Sequence, residues 1–310
     1  MPQPVETDPL RLRWGIVSTV KAPVDQIARF LAYHLDLGAH RIVVHLDVPD
    51  PKIAQTLAHA RVRFVQCDAA YWEGRTERTT ATHQMRQLYN ASRVYRSTRL
   101  DWLAHIDVDE FLLPPRRIPD LLATAPGDVT HINIPPVEMM ACNGDPYHFK
   151  RMTKKQLRRV IFPEFGAYAS GGFIGTKSPK CFARVGLDGV KLGIHALRHR
   201  GGALQSGIEL QGFELGHAHA PDYETFLRHM AYRLDKGSYH DRHGTPNKKG
   251  HLIRALMAEG DDALRAFFEE LSAPTAKRLD LLRQHGKLRS ETLDLDTKVA
   301  RHFGEMGRLT

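Results

Sequence analysis

The sequence predicts an α/β fold, with a mostly parallel sheet in the first part of the chain and a helical appendage at its end. Three observations predict it. Apolar strand-like segments alternate with amphipathic segments up to about residue 113, several of these strands end on polar residues, and helical spacing dominates after residue 222. An alternating β-α-β order implies parallel strands with helices on both faces of the sheet. We therefore expect one large α/β domain followed by a C-terminal helical extension.

The first part of the chain supplies the strands and helices of the predicted sheet. Buried-type apolar runs predict strands over residues 14–20, 41–46, 61–66 and 101–106. Apolar residues at helical spacing predict helices over residues 24–35, 52–60 and 84–96. In an open sheet of this kind, ligands bind outside the carboxyl ends of the strands. The polar residues that follow the strands should therefore meet along one edge.

After residue 114 the pattern loosens. Residues 129–215 predict short strands and loops rich in glycine and basic residues, and helical spacing returns over 223–236, 261–271 and 275–284. The run GTPNKKG over residues 244–250 is typical of a linker. We therefore predict one domain over residues 14–236 and a helical extension over 250–310.

Composition places the 310-residue chain among globular proteins, since 42% of its residues are hydrophobic and 25% are charged. It lacks an apolar run of about 18 residues, so no transmembrane helix is predicted. Its first residues lack the basic start and apolar stretch of a signal peptide. Its three cysteines have the spacing of neither a zinc motif nor a disulfide framework. We therefore expect a cytoplasmic protein, with peripheral association at the inner membrane face left open.

The net charge of +9 is concentrated in one segment. Residues 150–203 hold 12 Lys or Arg against two acidic residues, with the densest part in KKQLRR over 154–159. Such an excess favours an anionic partner, which could be a nucleotide diphosphate, an acidic glycan, a lipid headgroup or a nucleic acid. A solvated basic face that keeps the protein soluble is an equally good interpretation of the 154–159 run.

The strongest chemical pattern is the acidic group Asp107, Asp109 and Glu110, which follows the strand predicted over 101–106. Two carboxylates at i and i+2 can share one hard cation, and that cation can bridge to a diphosphate. A chain with 21 aspartates holds about 1.4 such pairs by chance. A second pair, Asp294 and Asp296, lies in the predicted helical extension and serves as a control. The position at a strand end favours the first pair as the metal–diphosphate site.

A second pattern is the pair His217 and His219. In an extended segment these side chains point to the same side, so that both could face one ion. A site that combines carboxylates with an imidazole favours Mn²⁺, and Mg²⁺ less well. The sequence contains no P-loop, no G-x-G-x-x-G, no G-x-S-x-G and no H-E-x-x-H motif, which argues against the enzyme classes that these motifs mark.

Taken together, these residues resemble a known family. The run DWLAHIDVDEFLLP resembles the D-x-D-E-F signature of bacterial family 2-like glycosyltransferases with the GT-A fold. Four further blocks are similar to the family in the same order, over residues 27–47, 85–90, 180–195 and 217–227. The resemblance covers about residues 14–236. It implies a GT-A-like domain with a nucleotide-binding sheet.

The resemblance also implies an activity. A metal-dependent enzyme would move a sugar from a nucleotide-diphosphate donor, with a UDP-sugar favoured, to a hydroxyl on a glycan or glycolipid, with inversion, as in polysaccharide biosynthesis. Asp109 would ligate Mn²⁺ or Mg²⁺. Asp107 would contact the metal, its bound water or the ribose, and His217 would complete the metal site. The acceptor could be anionic, and no nucleic-acid partner is expected because aromatic residues do not interleave with the basic segment.

The same resemblance implies a donor pocket. Asp47 would lie near the base or ribose of the nucleotide, and Lys21, Arg86 and Gln87 would line the pocket. Lys21 follows the first predicted strand, and Asp47 follows the second. Arg86 and Gln87 lie on the predicted helix before the D-x-D-E-F signature.

An inverting transferase also needs a carboxylate near the acceptor hydroxyl. Glu209 and Glu214 lie 100 and 105 residues after Asp109 and are the candidates, with Glu138 a weaker option. Taken singly, each fits a structural or surface acid better than the base. The main rival function is therefore a non-catalytic GT-A-like protein that binds a polyanion or a glycan. A metal-dependent phosphohydrolase would need a second acidic cluster, and none lies near Asp107 in the sequence.

Overall fold

The computed structural model of the protein describes residues 6–199, 202–204, 207–236, 239–240 and 245–304. The strands in these ranges are β1 (Trp14–Val20), β2 (Arg41–Leu46), β3 (Val62–Gln66), β4 (Trp102–His105), β5 (Glu110–Leu113), β6 (His131–Ile134), β7 (Pro136–Met139), β8 (Tyr147–Lys150), β9 (Lys180–Arg184), β10 (Lys191–Leu192), β11 (Leu197–His199), β12 (Gly202–Ala203), β13 (Gly207–Glu209), β14 (Glu214–His217) and β15 (Leu288–Glu291). The helices are α1 (Val24–Asp36), α2 (Pro51–Thr56), α3 (Ala69–Trp72), α4 (Glu77–Thr80), α5 (His83–Ser97), α6 (Ile118–Leu122), α7 (Lys155–Ile161), α8 (Tyr223–Lys236), α9 (Lys248–Glu259), α10 (Asp261–Ser272), α11 (Ala276–Gln284) and α12 (Leu295–Phe303).

The chain divides into two compact units, and each of them is built from separate stretches of sequence. The first unit comprises Met1–Pro135, Pro179–Leu215 and Asp294–Thr310, and the second comprises Pro136–Ser178 and Gly216–Leu293. The sequence instead predicts a division along the chain, into residues 14–236 and 250–310, and that division stays a prediction.

The first unit contains a seven-stranded sheet in the order β13-β6-β9-β4-β1-β2-β3. β2, β1 and β4 are parallel neighbours, β3 continues the parallel set, and β9 runs antiparallel to both β4 and β6. The predicted α/β class with a mostly parallel sheet is therefore confirmed. The specific GT-A arrangement stays a prediction. The parallel strands end at one edge, which places the residues after β1, β2 and β4 side by side.

Both faces of this sheet are covered. All seven residues of β1 are buried, because Trp14 and Ile16 pack into one hydrophobic cluster with the apolar side of α1 while Val17 packs into another with α5. A strand buried on both faces reads as a continuous apolar run, which is why the sequence predicts β1 and β2 with the observed bounds. Near the end of the chain, α12 packs against α1 in this unit.

The second unit combines antiparallel strands with helices. β7 pairs with β8, and β8 pairs with β15, in both cases antiparallel. Its hydrophobic core includes Phe162, the residue after α7, together with Phe226 from α8 and Phe267 from α10. Helices α8, α10 and α11 lie within one residue of their predicted bounds. Among the described residues, no helix has the length and apolar character needed to cross a bilayer.

One helix begins inside the predicted linker. Gly244 lies outside the described residues, but α9 starts at Lys248. The Asn247 side chain caps it by accepting the backbone N–H groups of Lys249 and Gly250 at 3.1 Å. A side chain at Gly250 would lie 2.3 Å from the Tyr239 carbonyl, so this glycine serves close packing rather than a flexible linker.

Candidate functional site

A tight turn joins β4 to β5 at the carboxyl edge of the parallel strands. The backbone N–H of Glu110 donates to the carbonyl of Asp107 at 3.1 Å, and the Glu110 carboxylate accepts the Asp107 N–H at 2.8 Å. Val108 and Asp109 therefore occupy the two central positions of the turn. Asp109 is half-buried there, whereas Glu110 is buried. The turn gathers three carboxylates at the edge where ligands bind in open α/β sheets.

A buried lysine lies beside these carboxylates. Because β9 runs antiparallel to β4, its first residue, Lys180, lies at the edge where β4 ends. The Lys180 ammonium is 2.6 Å from the Asp107 carboxylate and 3.2 Å from that of Glu110. Burial lowers the pKa of a lysine, but the two carboxylates outweigh burial and raise the pKa of Lys180. The ammonium therefore stays charged and offsets one of the negative charges at the turn.

The first turns of α5 connect two of the predicted acidic residues. Arg86 forms two hydrogen bonds of 2.6 Å to the Asp47 carboxylate, and the His83 ring lies 3.0 Å from the same group. Gln87 donates to Asp107 at 2.6 Å. Burial raises the pKa of Asp47, but the hydrogen bonds from His83 and Arg86 outweigh burial and hold that pKa well below its usual range. Four of the five predicted nucleotide-sugar residues thus form two directly bonded pairs.

The fifth predicted residue, Lys21, follows β1 and is exposed. β1 lies between β2 and β4, so Lys21 stands between the strand ends that carry Asp47 and Asp107. Nearby, α5 begins where it does because the Thr82 hydroxyl accepts the backbone N–H of Met85 at 3.3 Å. The N-terminal turn of a 15-residue helix therefore faces the same edge, which favours anion binding there.

Aromatic side chains adjoin this edge next to β3. Trp72 donates from its ring nitrogen to the carbonyl of Cys67, the residue after β3, at 3.1 Å. Tyr71 and Tyr89 pack edge-on or tilted against Trp72, with ring centroids 4.8 and 5.6 Å away. Trp72 also lines a surface pocket of about 450 Å³ together with Arg75. Sequence patterns assigned no site role to Trp72, His83 or Lys180, although Lys180 opens the block over 180–195 that resembles the family. Only the position of His83 three residues before Arg86, on the same helix face, could have indicated one of them.

The second unit holds the predicted histidines. The rings of His217 and His219 lie 5.3 Å apart between centroids. A side chain at Gly175 would lie 3.3 Å from the His217 ring and 2.8 Å from the Glu138 carboxylate, so the chain approaches closely enough to need glycine. Burial, and then the charge of Arg233, hold the pKa of His219 well below its usual range, so the ring is neutral. Its Nε2 atom is buried and has no hydrogen-bond partner among the described residues.

Glu138 has a structural environment. Its carboxylate accepts the backbone N–H groups of Ile174 and Gly175 at 2.7 and 2.5 Å and lies 3.1 Å from the Lys150 ammonium. Burial raises its pKa, but Lys150 and the two N–H groups outweigh burial and lower it. Lys249 holds the same loop by donating to the Ile174 carbonyl at 2.9 Å. A carboxylate engaged in this way fixes a loop and is poorly suited to take a proton from an acceptor.

The two main candidates for the base differ in environment. Glu209 is exposed at the end of β13, an edge strand three strands from β4 and so about 14 Å away across the sheet. Glu214 is buried at the start of β14. The structure does not bring Glu209 into the group around Asp107.

The residues predicted as metal ligands carry donor groups that divalent cations bind. Asp109 offers a carboxylate, and His217 and His219 of the second unit offer imidazole nitrogens. Carboxylate oxygens and imidazole nitrogens suit Mn²⁺ and related divalent cations. Asp109 belongs to the first unit, and the two histidines belong to the second. The neutral His219 ring, with its buried Nε2 atom, fits the protonation state that metal ligation requires.

Comparisons with known proteins add little. No protein-family model matches the chain, and no curated protein sequence matches it. Among solved structures, HddC from Yersinia pseudotuberculosis is similar over 56% of this chain and 74% of that one, with 10% sequence identity and a TM-score of 0.29. This TM-score is too low to indicate a shared fold.

Proposed function

We propose that the chain is a metal-dependent glycosyltransferase that moves a sugar from a nucleotide-diphosphate donor, with a UDP-sugar favoured, to a hydroxyl on a glycan or glycolipid. The observation that carries the proposal is the arrangement at the carboxyl edge of β2, β1 and β4. There Arg86 and Gln87 of one helix bind Asp47 and Asp107, and Lys180 binds Asp107 from the other side. This geometry supports a rigid anion- and metal-binding edge.

The residues divide the work in this proposal. Both carboxylate oxygens of Asp107 already accept hydrogen bonds, one from Gln87 and one from Lys180, so Asp107 holds the turn and its charge in place. Asp109, at the centre of that turn, would be the ligand to the cation. His217 is the further ligand that the resemblance implies. When bound, the cation would neutralise the charge that develops on the departing diphosphate.

Asp47 acts on the donor through its partners. Its side chain is only 3% exposed and is held by Arg86 and His83, which are more exposed. We therefore assign the direct contacts with the nucleotide to Arg86, His83 and Lys21. Trp72, beside the same edge, offers a ring face against which the base could stack.

Glu214 is the proposed base, because Glu209 is exposed and distant from β4 and Glu138 is bound to Lys150. A base at Glu214 would take the proton from the acceptor hydroxyl as that oxygen attacks the sugar. Glu214→Gln is expected to leave donor binding intact and to lower turnover at least 100-fold, in line with the usual contribution of general-base catalysis.

The test is to titrate the full chain with UDP, GDP, ADP, CDP and TDP, each with and without Mn²⁺. Calorimetry measures binding, and the melting temperature measures stabilisation. We expect one nucleotide to bind only in the presence of the metal. Asp109→Asn should abolish that metal-dependent binding. Asp296→Asn, in the control pair, should leave it unchanged because Asp296 is exposed and bonded to Arg29. Unchanged binding with Asp109→Asn would refute the metal assignment.

A second function, a non-catalytic protein that binds a polyanion or glycan, is favoured by the exposed cations Lys154, Lys155 and Arg159. Release of nucleotide from a UDP-sugar in the presence of a glycan acceptor would exclude it. If no nucleotide binds, with or without the metal, the binding function becomes the better account.

A further inference from the structure

We propose that the second unit carries a docking surface for an anionic lipid membrane, centred on α7. The proposal does not depend on the glycosyltransferase assignment. This basic–apolar surface combines exposed cations with exposed large apolar side chains. Its members are Met152, Lys154, Lys155, Arg159, Val160 and Tyr168.

The orientation of α7 follows from its sequence spacing. Leu157 and Ile161, four residues apart, pack into the hydrophobic core of the second unit. Lys155 and Arg159 are also four residues apart and are exposed, and Val160 lies next to Arg159. Because residues at i and i+4 share a helix face, α7 buries one face and presents a basic stripe bordered by an apolar side chain.

In the part of the chain that the structure describes, the cations of this surface are not neutralised by acidic side chains. Among the described residues, no acidic side chain forms an ion pair with Lys154, Lys155 or Arg159. The sequence from 151 to 170 contains five basic residues and a single acid, Glu164. Lys177 is a further exposed cation, and its ammonium lies 3.2 Å from the hydroxyl of Ser170. The net positive charge therefore favours an anionic partner.

The apolar members decide which anionic partner fits. Val160 is 59% exposed, Tyr168 is 44% exposed and Met152 is 41% exposed, although each is a large apolar or aromatic side chain. A dissolved polyanion would engage the cations and leave these side chains in water. A lipid interface engages both, since cations meet the headgroups while apolar and tyrosine side chains enter the boundary region. The mixture therefore favours a membrane over a polysaccharide or a nucleic acid.

The test is co-sedimentation of the full chain with vesicles of phosphatidylglycerol and phosphatidylcholine, compared with vesicles of phosphatidylcholine alone. Each cation near an anionic surface contributes about fivefold to partitioning, so Lys155→Ala with Arg159→Ala should lower binding about 25-fold. Val160→Ser should lower it by a smaller factor. The matched control is Arg96→Ala with Arg99→Ala, which removes the same charge from exposed positions of the first unit.

Three results would overturn the proposal. The first is an absence of binding to the anionic vesicles. The second is an equal loss with the control pair, which would indicate that net charge alone drives binding. The third is a pair of results. Val160→Ser leaves vesicle binding unchanged, and Lys155→Ala with Arg159→Ala abolishes binding to heparin as fully as binding to vesicles, which would identify a polyanion site. All variants change exposed side chains, and circular dichroism of each one checks that it is folded.

Discussion

Two buried lysines face carboxylates, one in each unit, and their surroundings differ. Lys180 in the first unit contacts Asp107 and Glu110, and the side chain of Asp107 is 34% exposed. Lys150 in the second unit contacts Glu138, whose side chain is 4% exposed. The lysine–carboxylate pair of the first unit is thus partly open to solvent, whereas the pair of the second unit is closed to it.

The difference shows how a functional charge can be separated from a structural one. Both oxygens of Glu138 are engaged, by Lys150 and by two backbone N–H groups, and its side chain is only 4% exposed. Beside the pair at Asp107, the half-buried carboxylate of Asp109 lies at the centre of an edge turn. A buried, saturated pair stabilises a loop, whereas a partly exposed pair beside an additional carboxylate can organise a cation site.

The largest expected effect comes from breaking the closed pair. Glu138→Gln leaves the Lys150 ammonium buried without a counter-charge, which should lower the free energy of unfolding by about 3–5 kcal/mol. Asp107→Asn should lower the free energy of unfolding by less than half as much, because Lys180 still pairs with Glu110 and the site is partly solvated. Urea denaturation at pH 7 measures both. Equal losses for the two variants would contradict the distinction between them.

Removing Lys180, the lysine of the open pair, should lower the free energy of unfolding somewhat less than Glu138→Gln does. Lys180→Met leaves Asp107 and Glu110 facing each other without a cation, and we expect a loss of about 3 kcal/mol at pH 7. Acidification should shrink that loss, since protonation of one carboxylate relieves the repulsion. Lys177→Met, which changes an exposed lysine, is the control. A loss that is independent of pH would argue against charge pairing as the role of Lys180.

The buried His34, which has no counter-charge among the described residues, should make the protein less stable as the pH falls. Burial lowers the pKa of His34 to about 3, and the neutral ring bonds the Phe30 carbonyl at 2.8 Å and the Leu112 N–H at 3.3 Å. The unfolded state therefore binds one more proton below about pH 6.5, and stability is lost as pH falls, by up to about 1.4 kcal/mol per pH unit. His34→Gln should make this slope shallower by one proton in denaturation series at pH 7, 6 and 5. Replacing the exposed His285 should not change it.

The smallest effect is expected for surface charges. Asp36 on α1 bonds Arg301 and His302 on α12 at 2.9 and 3.1 Å. Such exposed or partly exposed pairs contribute about 0.2–1 kcal/mol. Asp36→Asn should therefore lower the free energy of unfolding by less than about 1 kcal/mol, and high salt should reduce the difference further. A loss as large as that of Glu138→Gln would show that α12 is held chiefly by these charges.

The sequence by itself determined the order of β1 to β4 and of α1, α2 and α5 between them, whereas α3, α4 and β5 in the same stretch were not predicted. β1 and β2 have the predicted bounds because strands buried on both faces are continuous apolar runs. It also determined that acidic residues follow β2 and β4, since parallel strands bring their ends to one edge. The bounds of α9 could not be predicted, because the close packing of Gly250 against Tyr239 is invisible in a run that is typical of a linker. The strand β15 and the helix α12 were likewise not predicted.

Only the tertiary structure decided how the charges are paired. Lys180 lies 73 residues after Asp107, and its contact depends on β9 entering the sheet antiparallel to β4. Glu138 is bound to Lys150 only because β7 and β8 pair in a particular register. Sequence patterns reveal periodicity within one element, whereas pairing between buried charges depends on which elements become neighbours and in which direction they run. The candidate carboxylates could therefore be chosen from the sequence, while the buried lysines that distinguish them could not.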